Sequence, residues 1–163
     1  MENYELIVSL AKEQENMLRF ERFTAEDAWA LGCLMAARVR EAGIDMALAI
    51  RKLNGHILFQ YCTQGTALNN QNWMRRKFNT VVLTEGSSLR HWAATEIKGQ
   101  SMAAQGLDPL EYALCGGGFP IRLKSGELVG VVTASNLPHK QDHAFIVSCL
   151  AAYLCMENVP QID

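Results

Sequence analysis

Four short stretches of this chain hold residue types that could do chemistry. Cys115 stands directly before Gly116, Gly117 and Gly118, with Phe119-Pro120 after them. Successive glycines can bare their N–H groups to an anion, and a thiol at the lip of such a turn is a candidate nucleophile. The spacing is neither that of a phosphate loop nor that of a dinucleotide fingerprint. The same glycines equally suit a tight turn packed against neighbouring backbone. Arg75-Arg76-Lys77, flanked by Trp73 and Phe78, is the one concentrated positive charge. Successive helical residues point in different directions, so one or two of these cations can reach a carboxylate or phosphate, with Arg suited to a bidentate grip. The alternative is a solvated helix face or an intersubunit salt bridge.

Ser87-Ser88 can offer hydroxyls to a ligand or cap the helix that follows, and the two roles are compatible. In the segment from His139 to His143 two imidazoles lie four apart, a spacing that binds metal on one helix face. That segment straddles an expected helix start, where Asp142 suits the positive end of the dipole. No third ligand stands at a matching spacing, so no metal is assigned. Nor is a catalytic residue: His56, His91 and His143 have no sequence relation to Cys115, and no acid–base pair stands at a recognisable spacing. Of the five cysteines, Cys115 is expected to be the accessible one.

Composition sets the frame for these stretches. A chain of 163 residues with 49% hydrophobic and 20% charged content reads as one globular domain over 1–163. The formal net charge of −2 gives no basic field for nucleic acid or an anionic membrane surface. The N-terminus is acidic where a leader peptide would be basic, and no long apolar run is present. The five cysteines form no C-x-x-C pair, which argues for reduced thiols and a cytoplasmic protein.

The elements that must position these residues follow from periodicity. A helix is expected over about 3–17, then a short extended piece at 18–23. Thr24, followed by Glu26 and Asp27, opens a helix that runs to Gly43 as its C-terminal stop. IDMALAIRKL and HILFQYC flank Asn54-Gly55, a type I′ hairpin signal. A polar loop precedes a helix beginning near Asn72, and Ser87-Ser88 start another that ends near Lys98. Asp108-Pro109-Leu110-Glu111 has the capped start of a short helix. FPIRL and LVGVVTAS form a second hairpin about Gly126, with Pro120 expected at an edge or bulge. A helix over about 141–156 closes the chain. Helices at both ends around antiparallel hairpins give an α+β fold, with helices on both sheet faces.

GGGFPI, then KSGELVGVVTASNLP and QDH, together with the earlier NWMRRKFNTV and EGSS, resemble the haem-degrading-domain superfamily. Within it they resemble the branch of uncharacterised UPF0303 proteins, and the likeness covers about residues 24–154. The resemblance implies a profilin-like three-layer α/β/α fold with a five-stranded antiparallel sheet, and homo-oligomers. It also implies a small anionic or planar ligand, with haem a candidate that His56 or His143 would ligate. The expected site comprises Trp73, Arg76, Lys77, Ser87, Ser88, the turn Cys115-Gly116-Gly117-Gly118-Phe119, and His143. An enzyme of unknown class, or an interaction module without a small ligand, are the alternative readings.

Overall fold

Alternate residues of the strands face two different helix layers in the computed structural model, which describes residues 1–163. The chain runs α1 (Tyr4–Met17), β1 (Arg19–Phe20), α2 (Ala25–Ala42), β2 (Ala47–Lys52), β3 (Ile57–Cys62), α3 (Leu68–Thr84), α4 (Ser88–Lys98), β4 (Gly118–Leu123), β5 (Leu128–Ser135) and α5 (His139–Tyr153). The five strands form one sheet in the order β1-β4-β5-β2-β3. Every pairing is antiparallel except that of β1 with β4, which is parallel and only two residues long. The expected all-antiparallel sheet is corrected at that one edge.

On one face Leu48, Ile50, Phe119, Ile121, Val132 and Ala134 pack against α2 and α5, forming the main core. On the other, Ala47 and Ala49 meet Met74 of α3, and Val131 meets Phe78 and Val81. Small side chains on this second face let α3 lie close to the sheet, which matters for the site described below. A third cluster joins Ile7 and Ala11 of α1 to Leu89 and Ala93 of α4, with Ile162 of the C-terminal segment inserted.

Local signals explain most element ends. Thr24 and Asp27 form a reciprocal capping box, and Gly43 ends α2 at φ 63°. α3 begins four residues before Asn72, because Asn70 Oδ1 accepts the Ala67 N–H at 2.9 Å and so caps a start inside the polar stretch. The Asp108-Pro109 segment makes a single turn rather than a helix. Glu111 there pairs with Arg75 (2.9 Å), and the carbonyls of Leu110 and Pro109 accept from Arg75 and Arg76. α5 begins at His139, two residues earlier than expected, and ends at Tyr153.

The first hairpin is not type I′. Gly55 takes φ 89° and its N–H donates to the Lys52 carbonyl at 2.9 Å, while Asn54 keeps a negative φ. The pairing slips between Ile50 and Arg51. This is a three-residue loop closed by a glycine bulge, which needs only one left-handed residue. The second hairpin repeats it: Gly126 has φ 97°, its N–H reaches the Leu123 carbonyl at 2.8 Å, and the slip falls between Ile121 and Arg122. Pro120 faces away from β5, as Gly118 does, beyond the reach of the two-residue β1.

His143 ties three parts of the chain together. Its ring is buried beside Phe119, and its Nε2 lies 2.7 Å from Gln14 Oε1 of α1. Gln14 in turn donates from Nε2 to the Pro160 carbonyl at 2.7 Å. Since that amide nitrogen must be the donor, Oε1 accepts, and His143 carries its proton on Nε2. Nδ1 is buried without a partner, and burial, with His139 adding to it, pushes the imidazole down to about 3. The unfolded chain, with His near 6.5, therefore binds the extra proton between those two values. Stability contributed by the neutral ring is complete above about pH 6.5 and is lost as pH falls toward 3, with a ceiling of about 5 kcal/mol. Urea denaturation across this range should show ΔG falling with acidification, and the slope should flatten in His143→Gln.

Candidate functional site

Lys77 belongs to α3 but points into the protein, because α3 lies directly on the small-residue face of the sheet. Its side chain is only 3% exposed, and its Nζ donates to Asp142 Oδ2 at 2.9 Å and to the Ala134 carbonyl at 2.8 Å. Asp142, itself 2% exposed, accepts the Leu137 N–H on its other oxygen at 3.0 Å. Burial pushes the Asp142 carboxyl up, against the pull of Lys77 and of the N–H groups of Leu137 and Asn136. The pair closes off the β5–α5 junction and forms the floor of a cleft of about 370 Å³.

Trp73 lies on one wall of the cleft, Cys115 and His139 on others, and Asn70, Ser135 and Asn136 supply polar groups at its mouth. Asn70 Nδ2 donates to Ser135 Oγ (3.3 Å) and Asn136 Oδ1 (3.2 Å). Asn136 holds φ 141°, a conformation L residues rarely adopt, and is fixed there by its side chain's bond to the Asp45 carbonyl at 3.0 Å. His139 Nδ1 accepts the Gly116 N–H at 3.1 Å, which leaves the proton of the neutral ring on Nε2. Burial first, then Lys140 and Lys77, lower its basicity, so it is neutral near pH 7. The ring also meets Trp92 edge-to-face at 4.6 Å. Arg76 stacks over Trp73 at 3.9 Å from the ring centroid, which brings a second cation to the rim.

The glycine run owes its composition to this packing. A Cβ on Gly117 would stand 2.6 Å from both Lys77 Nζ and the Ala134 carbonyl oxygen, and Gly117 needs φ 111° besides. A Cβ on Gly116 would strike the His139 carbonyl, and one on Gly118 would press Val81 at 2.9 Å. The N–H of Gly116 goes to His139, and that of Gly118 to Ser88 Oγ at 2.9 Å. Two of the three donors of a would-be anion nest are therefore consumed inside the protein.

Of the expected site residues, Trp73, Lys77 and Cys115 line the cleft, while Arg76 stacks over Trp73 and donates to the Pro109 carbonyl, and Gly116 and Gly117 pack as backbone against His139 and Lys77. The structure separates the rest. Ser87 caps α4 and Ser88 braces Gly118, both without exposure to solvent. Phe119 lies in the main core, and His143 faces Gln14. Those four, and Gly118 on the Ser88 hydroxyl, are not among the groups that line this cleft. Cys115 is half-buried, whereas Cys33, Cys62 and Cys155 are exposed, so the expected order of accessibility is reversed. Burial pushes its thiol up, against the pull of Lys77. Sequence reasoning missed Asn70, Ser135, Asn136 and His139 as lining groups and took Asp142 for a helix-dipole residue.

Haem does not fit these residues. His56 is exposed at the β2–β3 turn, about 17 Å along β2 from the cleft end of the sheet. His143 is buried against Gln14 and Phe119 and does not line the cleft. The cleft that holds His139 is walled mostly by amide, hydroxyl and charged groups, where a macrocycle needs apolar faces.

The family described as haem degrading protein HbpS-like matches residues 23–151. A UPF0303 protein of Azotobacter vinelandii is 39% identical over 142 residues, covering 86% of this chain and 85% of that one. One from Streptomyces coelicolor is 36% identical over 155 residues, covering 90% and 93%. Among solved structures, the Ybr137w protein superposes with a TM-score of 0.85 at 27% identity, covering 92% of this chain and 89% of that one. HbpS superposes at 0.64 and 17% identity (82% and 90% covered), and PduOC in its haem complex at 0.66 and 16% (86% and 99%). At such identities these last two share the fold.

Removing one partner of the floor pair strands the other charge in the interior. Lys77→Met should cost about 3–5 kcal/mol in urea denaturation, and adding Asp142→Leu should recover most of it. A double variant as unstable as the single one would contradict the pairing.

Proposed function

The chain belongs to the HbpS-like haem-degrading family and to its UPF0303 branch, and from that premise we propose that it is an oligomeric, cytoplasmic binding protein for a small anionic ligand other than haem. One observation carries this reading. Lys77, paired with Asp142, lines a cleft of about 370 Å³ that opens beside the N-terminus of α5, and Arg76 stacks on Trp73 of its wall. The Lys77–Asp142 pair is neutral as a unit, Arg76 next to the wall donates to the Pro109 carbonyl, and the helix end adds a favourable potential for a carboxylate or phosphate. Nζ of Lys77 has one proton left after its two bonds. Asn70, Ser135 and the His139 Nε2–H supply uncharged donors and acceptors that set orientation. The cleft's size suits a metabolite-sized ligand.

Assembly is supported by surface features away from the cleft. Trp29 of α2 is 62% exposed and meets Phe59 of edge strand β3 edge-to-face, and Ile57 of the same strand is 40% exposed. The outer edge of β3 has no strand partner. No helix is long and apolar enough to cross a membrane.

Thermal melting with acetate, phosphate and small dicarboxylates should show a saturable rise in Tm for at least one of them. Arg76→Ala should weaken that ligand about tenfold, or 1.4 kcal/mol, without a comparable loss of stability. Haem titration should give no saturable absorbance change. A flat response to every anion, or saturable haem binding, would overturn the reading.

A further inference from the structure

A second buried cation lies outside the cleft, and it has no counter-charge. Arg51 ends the row Ala47, Ala49, Arg51 by which β2 faces α3, and it is only 9% exposed. Its Nε is buried without a partner, and the guanidinium enters none of the chain's ion pairs. Its neighbour is the Phe78 ring, whose centroid lies 5.4 Å from the guanidinium carbon. A cation withdrawn this far from water ordinarily has a carboxylate beside it, as Lys77 has Asp142. Arg75, one turn before Phe78 on α3, acts on Arg51 as a further positive charge, and its own acid, Glu111, is already paired. We propose that Arg51 anchors a second anion site, on the flank of α3 that looks toward β3, for a monocarboxylate with an apolar body.

The topology leaves room there. α3 crosses β4, β5 and β2, and the same face of the outermost strand β3 stays uncovered, with Gln60 and Cys62 exposed on it. Arg51 therefore lies at the seam between the covered and uncovered parts of one sheet face. Its planar fork of N–H groups matches a carboxylate in bidentate geometry, whereas the aromatic ring beside it offers no acceptor oxygen.

Charge and apolar surface narrow the ligand further. Arg51 and Arg75 stand against the one acid Glu111, which leaves a single positive charge, and a monoanion balances it where a dianion overshoots. Ile57, directly cross-strand from Arg51, is 40% exposed, and Val82, one turn beyond Phe78, is partly buried on the same cluster. These flank the guanidinium with apolar surface that a ring or short alkyl group would cover. The site shares no residue with the Lys77 cleft and stands or falls independently of it.

Benzoate is the probe, titrated into the full chain by calorimetry and followed by thermal melting. It should bind saturably, and Arg51→Met should weaken it at least about tenfold while Arg76→Ala leaves it unchanged. Arg51→Lys, which keeps the charge but not the fork, should fall between the parent and Arg51→Met. Without ligand, Arg51→Met should melt no lower than the parent, because it removes an uncompensated charge and keeps the apolar stem. Benzoate binding of equal strength in Arg51→Met and the parent, or none in either, overturns the site. So does an Arg51→Met variant of lower mass by light scattering in a chain blind to benzoate, since the missing carboxylate would then come from a neighbouring copy. Acetate and phosphate responses that depend on Arg76 but not on Arg51 report on the cleft alone, so failure of one site is not failure of the other.

Discussion

Burying an ion pair is costly unless the charges and their remaining hydrogen-bonding capacity are satisfied, and the Lys77–Asp142 pair imposes that condition on its surroundings. Lys77 reaches the interior only because Ala47 and Ala49 let α3 settle onto the sheet. Its ammonium is shared between Asp142 and the Ala134 carbonyl, so the end of β5 and the first turn of α5 are fixed relative to α3. The backbone at Gly117 must then pass within touching distance of that ammonium, which excludes any side chain. Gly117, which reads on paper as part of a ligand loop, is a consequence of the pair beneath it, while Gly116 and Gly118 are kept bare by the His139 carbonyl and by Val81.

The features that were legible in the sequence are those whose cause is local. Thr24 with Asp27, the glycines at 43, 55 and 126, and Ser87 ahead of α4 each act within a few residues, and each marks an element end in the structure. The likeness in the glycine, hairpin and last-helix segments carried the layer order as well. Long-range partners left no such trace. Lys77 and Asp142 are 65 residues apart, and Gln14 and His143 are 129 apart. A basic triplet looks solvated until the fold shows one member turned inward. Asn70 was invisible for a different reason: a cap inside a run of asparagines and glutamines looks like loop. The parallel pairing of β1 could not be read from two residues.

The family frame and the cleft's chemistry point in different directions on the ligand. Shared architecture with a haem-complexed structure at 16% identity carries the fold, whereas the ligand is set by the groups that line this chain's cleft. Amides, a hydroxyl, a neutral imidazole and a thiol around a paired lysine suit a compact polar molecule. The exposed Trp29 is on α2, across the sheet from α3, and neither it nor any residue of β3 lines the cleft, so assembly and ligand access need not compete for surface.

The segment before the glycines is sewn onto α3. Thr80 Oγ donates to the Ala113 carbonyl at 2.9 Å and accepts the Ala113 N–H at 3.1 Å, and Asn79 reaches the Glu111 carbonyl at 2.7 Å. With that, the cleft's walls come from the seventies, from residue 115 and from 135–142, and no one stretch retains any part of the site by itself. A ligand seated there is thermodynamically linked to the closed tertiary state as a whole. It adds RT ln(1 + [L]/Kd) to global stability, about 2.7 kcal/mol at a hundredfold excess over Kd. The same coupling means that amides in the sheet's centre, far from the cleft, would register occupancy through slower hydrogen exchange.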